Sequence, residues 1–421
     1  MRRGGLLPPR PGAAGRAAPR GRLAVALLLA AAGACTPRPA PVAAPGPHWL
    51  GTWAASPQLT EPRNMPPAPG LAGNTLRQAI HVTLGGPRFR MRFSNAFGDG
   101  PLAIAEARIA RSAGGSAIDT ASARALTFGG ADSVLIAAGA TATSDPVDWD
   151  IAPLSDLAVT LRFGAVPAAL TGHPGSRTTS YIATGGRAAA PDLAGAAATD
   201  HWYVIERLDL VAEGAAVVAL GNSITDGRGS GTNLNDRWPD DLARRLAADP
   251  RTRRVSVLNA GIGGNKILAG GLGPTALSRL ERDVLEAGGA LWAIVLEGVN
   301  DIGGAEGPEA AAAVARDLIA AYRQIIDRAH ARGLKVYGGT ITPFGGSFYD
   351  GPGREEARQT VNRWIRTGGA FDAVIDFDAV VRDPADPRRL LPGADTGDHL
   401  HPNETGYRMM ADAIDLALFT R

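Results

Sequence analysis

Two periods of apolar residues divide the chain. From His48 to about Ala212 apolar positions recur every second residue, the spacing that puts side chains on one face of an extended strand. In Leu76–Leu84 the apolar set is Leu76, Ile80, Val82 and Leu84, with Arg77, His81 and Thr83 opposite. Gly85-Gly86-Pro87 supplies a turn, after which Phe89, Met91 and Phe93 alternate with Arg88, Arg90 and Arg92. The two runs together predict a hairpin with one buried face. Leu157–Phe163 and Trp202–Val211 read as further strands between long Gly/Ala/Ser/Asp loops, and no helical period stands out. An antiparallel β-sandwich over 48–212 is the economical architecture.

Beyond Ala212-Glu213-Gly214 short apolar strands alternate with helical stretches. The strands are expected at Ala215–Leu220, Val255–Leu258, Trp292–Leu296, Leu334–Tyr337 and Ala373–Phe377. The clearest helix runs from about Pro308 to Arg332, with Val314, Leu318, Tyr322, Ile325, Ile326 and Ala329 on one stripe and Gly333 as its stop. This alternation predicts an α/β domain over 213–421, its parallel sheet covered on both faces and its ligands beyond the strands' carboxyl ends.

The first residues follow neither pattern. Arginines lead into the apolar run Leu23–Ala34, which is too short for a bilayer span of about 20 residues but suits a signal-peptide core. Residues 1–34 are therefore expected to be an export signal ending at Ala32-Gly33-Ala34. Cys35, the only cysteine, follows directly, as in a bacterial lipoprotein, where that cysteine carries the lipid; ordinary secretion is the alternative. Residues 35–47 are proline-rich and read as a tether. A cell-envelope lipoprotein or a secreted protein is the expected location.

Composition narrows the function classes. With 421 residues, 45% hydrophobic and 20% charged, the chain is globular, and one cysteine excludes a disulfide framework or a cysteine-ligated cluster. The formal charge of +2 misleads, because six arginines lie in the acid-free segment 1–34. Without them 37 basic residues face 41 acidic ones, which gives no support for nucleic-acid binding.

Candidate chemistry gathers at four strand ends. The first strand runs into Gly221-Asn222-Ser223-Ile224-Thr225-Asp226-Gly227, which presents a serine hydroxyl at the sheet edge. It is not the G-x-S-x-G elbow, since Thr225 fills the last position. The second ends in Asn259-Ala260-Gly261-Ile262-Gly263-Gly264, whose glycine spacing does not suit a phosphate loop. The third gives Gly298-Val299-Asn300-Asp301, an amide at the same edge. Near the C-terminus Asp395-Thr396-Gly397-Asp398-His399-Leu400-His401 precedes a helix expected over Tyr407–Phe419. Asp398 and His401 are spaced so that a carboxylate can hold an imidazole. His399 and His401 lack a third ligand cluster, so no metal is expected.

In this order the four blocks resemble those of the SGNH hydrolases, also called the GDSL esterase/lipase family, over about residues 214–421. Asn222 departs from the family's usual aspartate. The resemblance implies a flavodoxin-like three-layer α/β/α fold and a cofactor-free serine esterase. Ser223 would be the nucleophile, His401 the base and Asp398 its orienting acid. The backbone N–H groups of Ser223 and Gly264 and the Asn300 amide would form the oxyanion hole. A β-rich front half before such a domain is similar to secreted bacterial SGNH proteins described as arylesterases or acylhydrolases. Within it Asn95, His173 and Arg177 are candidates to reach the substrate, and Phe344 to shape the pocket. The front half reads equally as a carbohydrate-binding module or a stabilising domain. The expected substrate is a small-molecule or glycan ester, an acetylated saccharide first, with aryl or lipid esters as alternatives. A non-catalytic, lipid-anchored glycan-binding protein is the reading from another class.

Overall fold

The structure, a computed structural model, describes residues 46–420. The export signal, Cys35 and nearly all of the tether lie outside these residues. The chain from Pro45 onward folds as one compact unit.

The front region builds two antiparallel sheets whose inner faces share one apolar cluster. One holds five strands, with Ile205–Ala212 between His48–Ala54 and Gly86–Ser94. The other holds seven, with Thr75–Val82, Ser155–Phe163 and Leu102–Arg111 at its centre. The apolar face is as expected, with Leu76, Ile80, Val82, Phe89, Met91 and Phe93 all buried, but the other face of Leu76–Leu84 is covered as well. Arg77 and Thr83 are buried there, and Arg77 donates to the Thr160 hydroxyl and to the carbonyls of Ser116 and Ala190. The expected hairpin does not form. Thr75–Val82 belongs to the seven-stranded sheet and Gly86–Ser94 to the five-stranded one, so the Gly85 turn carries the chain from one sheet to the other. Alternation fixes which face of a strand is buried but not which strand lies beside it, and an arch between sheets satisfies the same pattern. A third, small sheet joins Gln58–Leu59, Thr171–His173 and Trp202–Tyr203.

All five expected parallel strands are present: Ala215–Gly221, Val255–Gly261, Ala290–Leu296, Lys335–Gly339 and Ala373–Ile375. Numbered along the chain, their order across the sheet is 2-1-3-4-5, so the direction of winding reverses beside the first strand. That strand is buried throughout. Ala215, Val217 and Ala219 face helices Trp238–Ala248 and Glu404–Asp412, and Ala216, Val218 and Leu220 face the layer of helices Gly307–His330 and Arg354–Thr367. The helix expected over Tyr407–Phe419 instead starts at Glu404, capped by the Asn403 side chain, and stops at Asp412. Asp415 then caps a separate turn, Leu416–Phe419. Asp415, a short side chain able to cap a helix, divides the apolar stripe into two pieces.

The front region packs directly on the α/β region. Ser256 donates its hydroxyl to the Gly51 carbonyl at 2.6 Å, Gly51 donates its N–H to Gly288 at 3.0 Å, and Thr83 accepts from the Val257 N–H at 3.1 Å. One apolar cluster runs through both. This contact lets residues of the front region form a wall of the site described next.

Candidate active site

Ser223 opens a one-turn helix at the carboxyl end of the first parallel strand. Gly221 must be glycine here, since a Cβ would collide with the Thr225 side chain of the same turn. Asn222 caps the turn by accepting from the Ile224 N–H at 3.0 Å. Its amide nitrogen reaches the other way, to the Leu296 carbonyl at 3.3 Å and Glu297 Oε2 at 3.4 Å. An aspartate could not make these two donations. Burial raises the Glu297 carboxyl to about 8, against the pull of Arg279, so it is mostly protonated at neutral pH.

The C-terminal loop brings the imidazole to this turn. Ser223 Oγ lies 2.9 Å from His401 Nε2, and His401 Nδ1 lies 2.7 Å from Asp398 Oδ2. The other Asp398 oxygen accepts from the Thr396 hydroxyl and the N–H groups of Leu400 and His401, at 2.9–3.0 Å. Burial alone would raise the Asp398 carboxyl, but these bonds and the adjacent imidazole hold it far below the usual carboxylate range. Burial lowers the His401 imidazole below its ordinary value. Asp398 opposes that shift, and the charges of Arg228 and Arg177 reinforce it. The base is thus kept neutral and able to accept a proton. His399 turns instead to Asp395, at 2.6 Å, so the two histidines face different partners.

The remaining strand ends complete the edge. Gly264 sits at φ 71°, a left-handed conformation that suits glycine. Its loop is pinned by Asp301, which accepts from the N–H groups of Ile267 and Leu268 at 3.1 and 3.0 Å. The Asn300 amide donates one N–H to the Asn265 carbonyl at 2.7 Å, which leaves its second N–H. Its oxygen is fixed by the Tyr349 hydroxyl at 2.8 Å. Ser223, Gly264, Asn300 and His401 all line one cavity of about 360 Å³. A nucleophile, a base held by an acid and amide donors at one wall can attack a carbonyl and hold the oxyanion that results.

The four further candidates fare differently. Arg177 lines the cavity. His173 stands one layer behind it, between the Ser56 carbonyl at 3.0 Å and Asp226 Oδ1 at 2.9 Å. Asn95 does not reach the site. It is fully buried in the front region, where its amide donates to the carbonyls of Gly100, Ile136 and Ala137. Phe344 is a core residue rather than a pocket wall, because the chain folds that loop back onto the apolar cluster; the exposed Phe348 and the half-buried Tyr349 line the cavity instead.

Three contributors were not expected. Asp226 is buried in the cavity wall and holds both His173 and the Gly263 N–H, the latter at 3.0 Å. It therefore ties the front region to the Gly264 loop. Gln58, Glu61, Arg63 and Asn64 of the front region form another stretch of wall. Arg279, fully buried, donates to the carbonyls of Gly221 at 3.0 Å and Ala260 at 2.6 Å, to Asn265 Oδ1 and to Ser56 Oγ, joining two strand ends, the Gly264 loop and the front region.

Solved structures similar to the chain include the lipase/acylhydrolase from Enterococcus faecalis, at 22% identity, covering 47% of this chain and 92% of that one with a TM-score of 0.36. An acetyl xylan esterase shows 22% identity, 47% and 96% coverage and a TM-score of 0.36. A GDSL-like lipase from Bacteroides thetaiotaomicron VPI-5482 shows 20% identity, 48% and 87% coverage and a TM-score of 0.35. No curated protein matches the chain. The sequence of residues 219–409 matches the GDSL-like Lipase/Acylhydrolase family.

Proposed function

We propose that this chain is an exported serine esterase that removes short acyl groups, acetyl above all, from a saccharide. The observation that carries the reading is the unbroken chain from Ser223 Oγ through His401 to Asp398, at 2.9 and 2.7 Å, on a cavity that also holds Gly264 and Asn300. Ser223 attacks the ester carbonyl as His401 Nε2 takes its proton. The oxyanion rests on the N–H groups of Ser223 and Gly264 and on the Asn300 amide. Collapse expels the alcohol, which takes the proton from His401 and leaves an acyl-serine. Water, activated by the same imidazole, then releases the acid and restores the hydroxyl.

The preference for a short acyl group on a polar alcohol rests on the walls. Gln58, Glu61, Arg63, Asn64, Arg177 and His201 offer polar groups around a volume of about 360 Å³, with Leu272, Phe348 and Leu400 as an apolar portion of the wall. A volume near the small end of ligand pockets suits a short acyl group. Acetate release from acetylated glycans, beside nitrophenyl esters of increasing chain length, tests this. Activity is expected to be highest on acetyl esters, and a maximum at C8 or longer would favour a lipid-ester hydrolase.

The same assay across pH reads His401. The reactive form is the neutral ring, and burial favours that form, so activity should persist below pH 6.5 and fall only as the ring protonates in more acid solution. Arg177→Gln or Arg228→Gln removes a cation that opposes protonation and should move the midpoint upward. A midpoint clearly above 6.5 in the unaltered protein would contradict the buried, neutral base.

Export is supported by the arginine-led apolar run and the position of Cys35. In this reading Cys35 carries the lipid, so Cys35→Ser should release the protein from the membrane fraction. Retention of that variant in the membrane would count against the anchor.

A further inference from the structure

We infer that His173 of the front region is a positioning residue for catalysis: through Asp226 it holds the loop that presents the Gly264 N–H to the oxyanion. The inference rests on the esterase reading and adds a part to its machinery. Ser223, Gly264, Asn300, Asp398 and His401 all fall within residues 219–409, the span that matches the hydrolase family. The loop that carries Gly264 is nonetheless braced from outside that span. His173 is the last residue of strand Thr171–His173 and is buried behind the cavity, which the next two residues, Pro174 and Gly175, help to line.

Both nitrogens of the His173 ring are engaged. Nδ1 lies 3.0 Å from the Ser56 carbonyl and Nε2 lies 2.9 Å from Asp226 Oδ1. A carbonyl has no proton to give, so Nδ1 donates to Ser56, and a second proton lies between Nε2 and the carboxyl group. Trp202 covers the ring face, with centroids 5.8 Å apart and planes tilted by 29°, a distance that suits a proton-bearing ring beside an indole. Held at both nitrogens and on one face, the imidazole has no freedom to reach the substrate. What it can do is fix Asp226.

Asp226 passes the restraint on. Its other oxygen, Oδ2, accepts from the Gly263 N–H at 3.0 Å, one residue before Gly264. The packing leaves no slack: a Cβ on Gly175 would collide with the carboxylate, and one on Gly261 with the Asp226 backbone. Ser56, which anchors His173, also stands behind the second oxyanion group. Its hydroxyl accepts from Arg279 at 3.1 Å, Arg279 grips the Asn265 side chain, and the Asn265 carbonyl accepts from the Asn300 amide at 2.7 Å. Two chains of bonds thus leave one front-region residue, and each ends at one oxyanion group. Such a donor works only at the right distance from the developing charge, and losing one costs about a hundredfold or more in kcat. The His173 brace governs that distance for Gly264.

The test uses two amides that each keep one donor of the ring. His173→Gln places an N–H near the position of Nε2, toward Asp226, and His173→Asn places one near Nδ1, toward Ser56. On 4-nitrophenyl acetate His173→Asn should lower kcat by about tenfold or more with KM within about threefold, since an oxyanion contact forms in the transition state. His173→Gln should recover most of that rate. Asp226→Ala should lose at least as much kcat, and adding His173→Asn to it should cost little more, because the path is already cut. Equal rates in the two His173 variants, a loss that falls on KM, or full additivity in the double variant overturns the inference. A merely structural brace would lower the melting temperature in both His173 variants and leave kcat of the folded protein unchanged. If His173→Asn does not fold, Asp226→Ala carries the test, and a normal kcat there overturns the inference while leaving the esterase standing. If the unaltered protein does not cleave 4-nitrophenyl acetate, the esterase reading itself is wrong and the inference goes with it.

Discussion

Ser223→Ala should lower ester turnover by at least about a thousandfold, because covalent catalysis loses its nucleophile and the imidazole loses the proton it is placed to accept. What remains is the oxyanion site and binding, which support only a small residue of the rate. The fold should survive the change. The turn is held by groups the substitution leaves in place: Asn222 still caps the Ile224 N–H, and the Asp226 N–H still reaches the Asn222 carbonyl at 2.9 Å. Ser223 is nearly buried, and the lost hydroxyl faces the cavity rather than the core, so little apolar packing changes. Steady-state hydrolysis of 4-nitrophenyl acetate, with a thermal melt of the same preparation, separates the two effects. An unchanged melt with near-normal turnover would remove Ser223 from the chemistry, and a collapsed melt would make the loss of rate uninformative.

How much of this was legible depends on whether a residue's role is local. The parallel strands were readable because each is a short run rich in apolar residues between loops and helices, and Ser223, Gly264, Asn300 and Asp398/His401 because each follows such a run or stands in a recognisable loop. Roles that depend on a distant partner were not. Arg279 lies four residues before Asp283 on a helical stretch, the spacing of an ordinary surface pair, and nothing local tells that it is fully buried. His173 was singled out for the wrong reason: it reaches Asp226 rather than substrate, a contact across 53 positions of sequence. Asn95 follows a strand as the site residues do, yet its amide ties that strand end to Gly100 nearby and to Ile136 and Ala137, 41 and 42 positions away. The Asn222 departure becomes intelligible only once Glu297 is seen beneath it. That glutamate could have been noticed as a charge ending an apolar strand, a position where burial is expected and a partner is needed.

Removing Arg279 should be the most damaging single change to stability in the α/β region. Its guanidinium is wholly buried and donates to two strand-end carbonyls, to Asn265, to Ser56 and to Asp283, the last at 3.0 Å, while Glu297 Oε1 lies 3.6 Å away. Arg279→Met keeps much of the volume but removes the guanidinium's bonds to the Gly221 and Ala260 carbonyls, of which Gly221 keeps the Ile262 N–H at 3.0 Å, and takes one cation from beside the buried Asp283. Breaking a buried, hydrogen-bonded ion pair from one side costs about 3–5 kcal/mol, because the groups left behind stay desolvated. Asp283 keeps Arg282 at 2.5 Å, which places the expected loss toward the lower end of that range. For a chain of this size the melting temperature should fall by roughly 4 °C. Activity should fall further than stability at temperatures where the variant is folded, since Asn265, which Arg279 grips by its side chain, holds Asn300 by its carbonyl. Arg279→Lys restores the charge but only one point of donation, so it should recover part of the stability and little of the rate. Chemical denaturation of the three proteins, with kcat measured well below each melt, decides the matter. A loss under about 1 kcal/mol in Arg279→Met would mean that water or rearranged side chains satisfy these groups, and that the strand ends hold their geometry without the guanidinium.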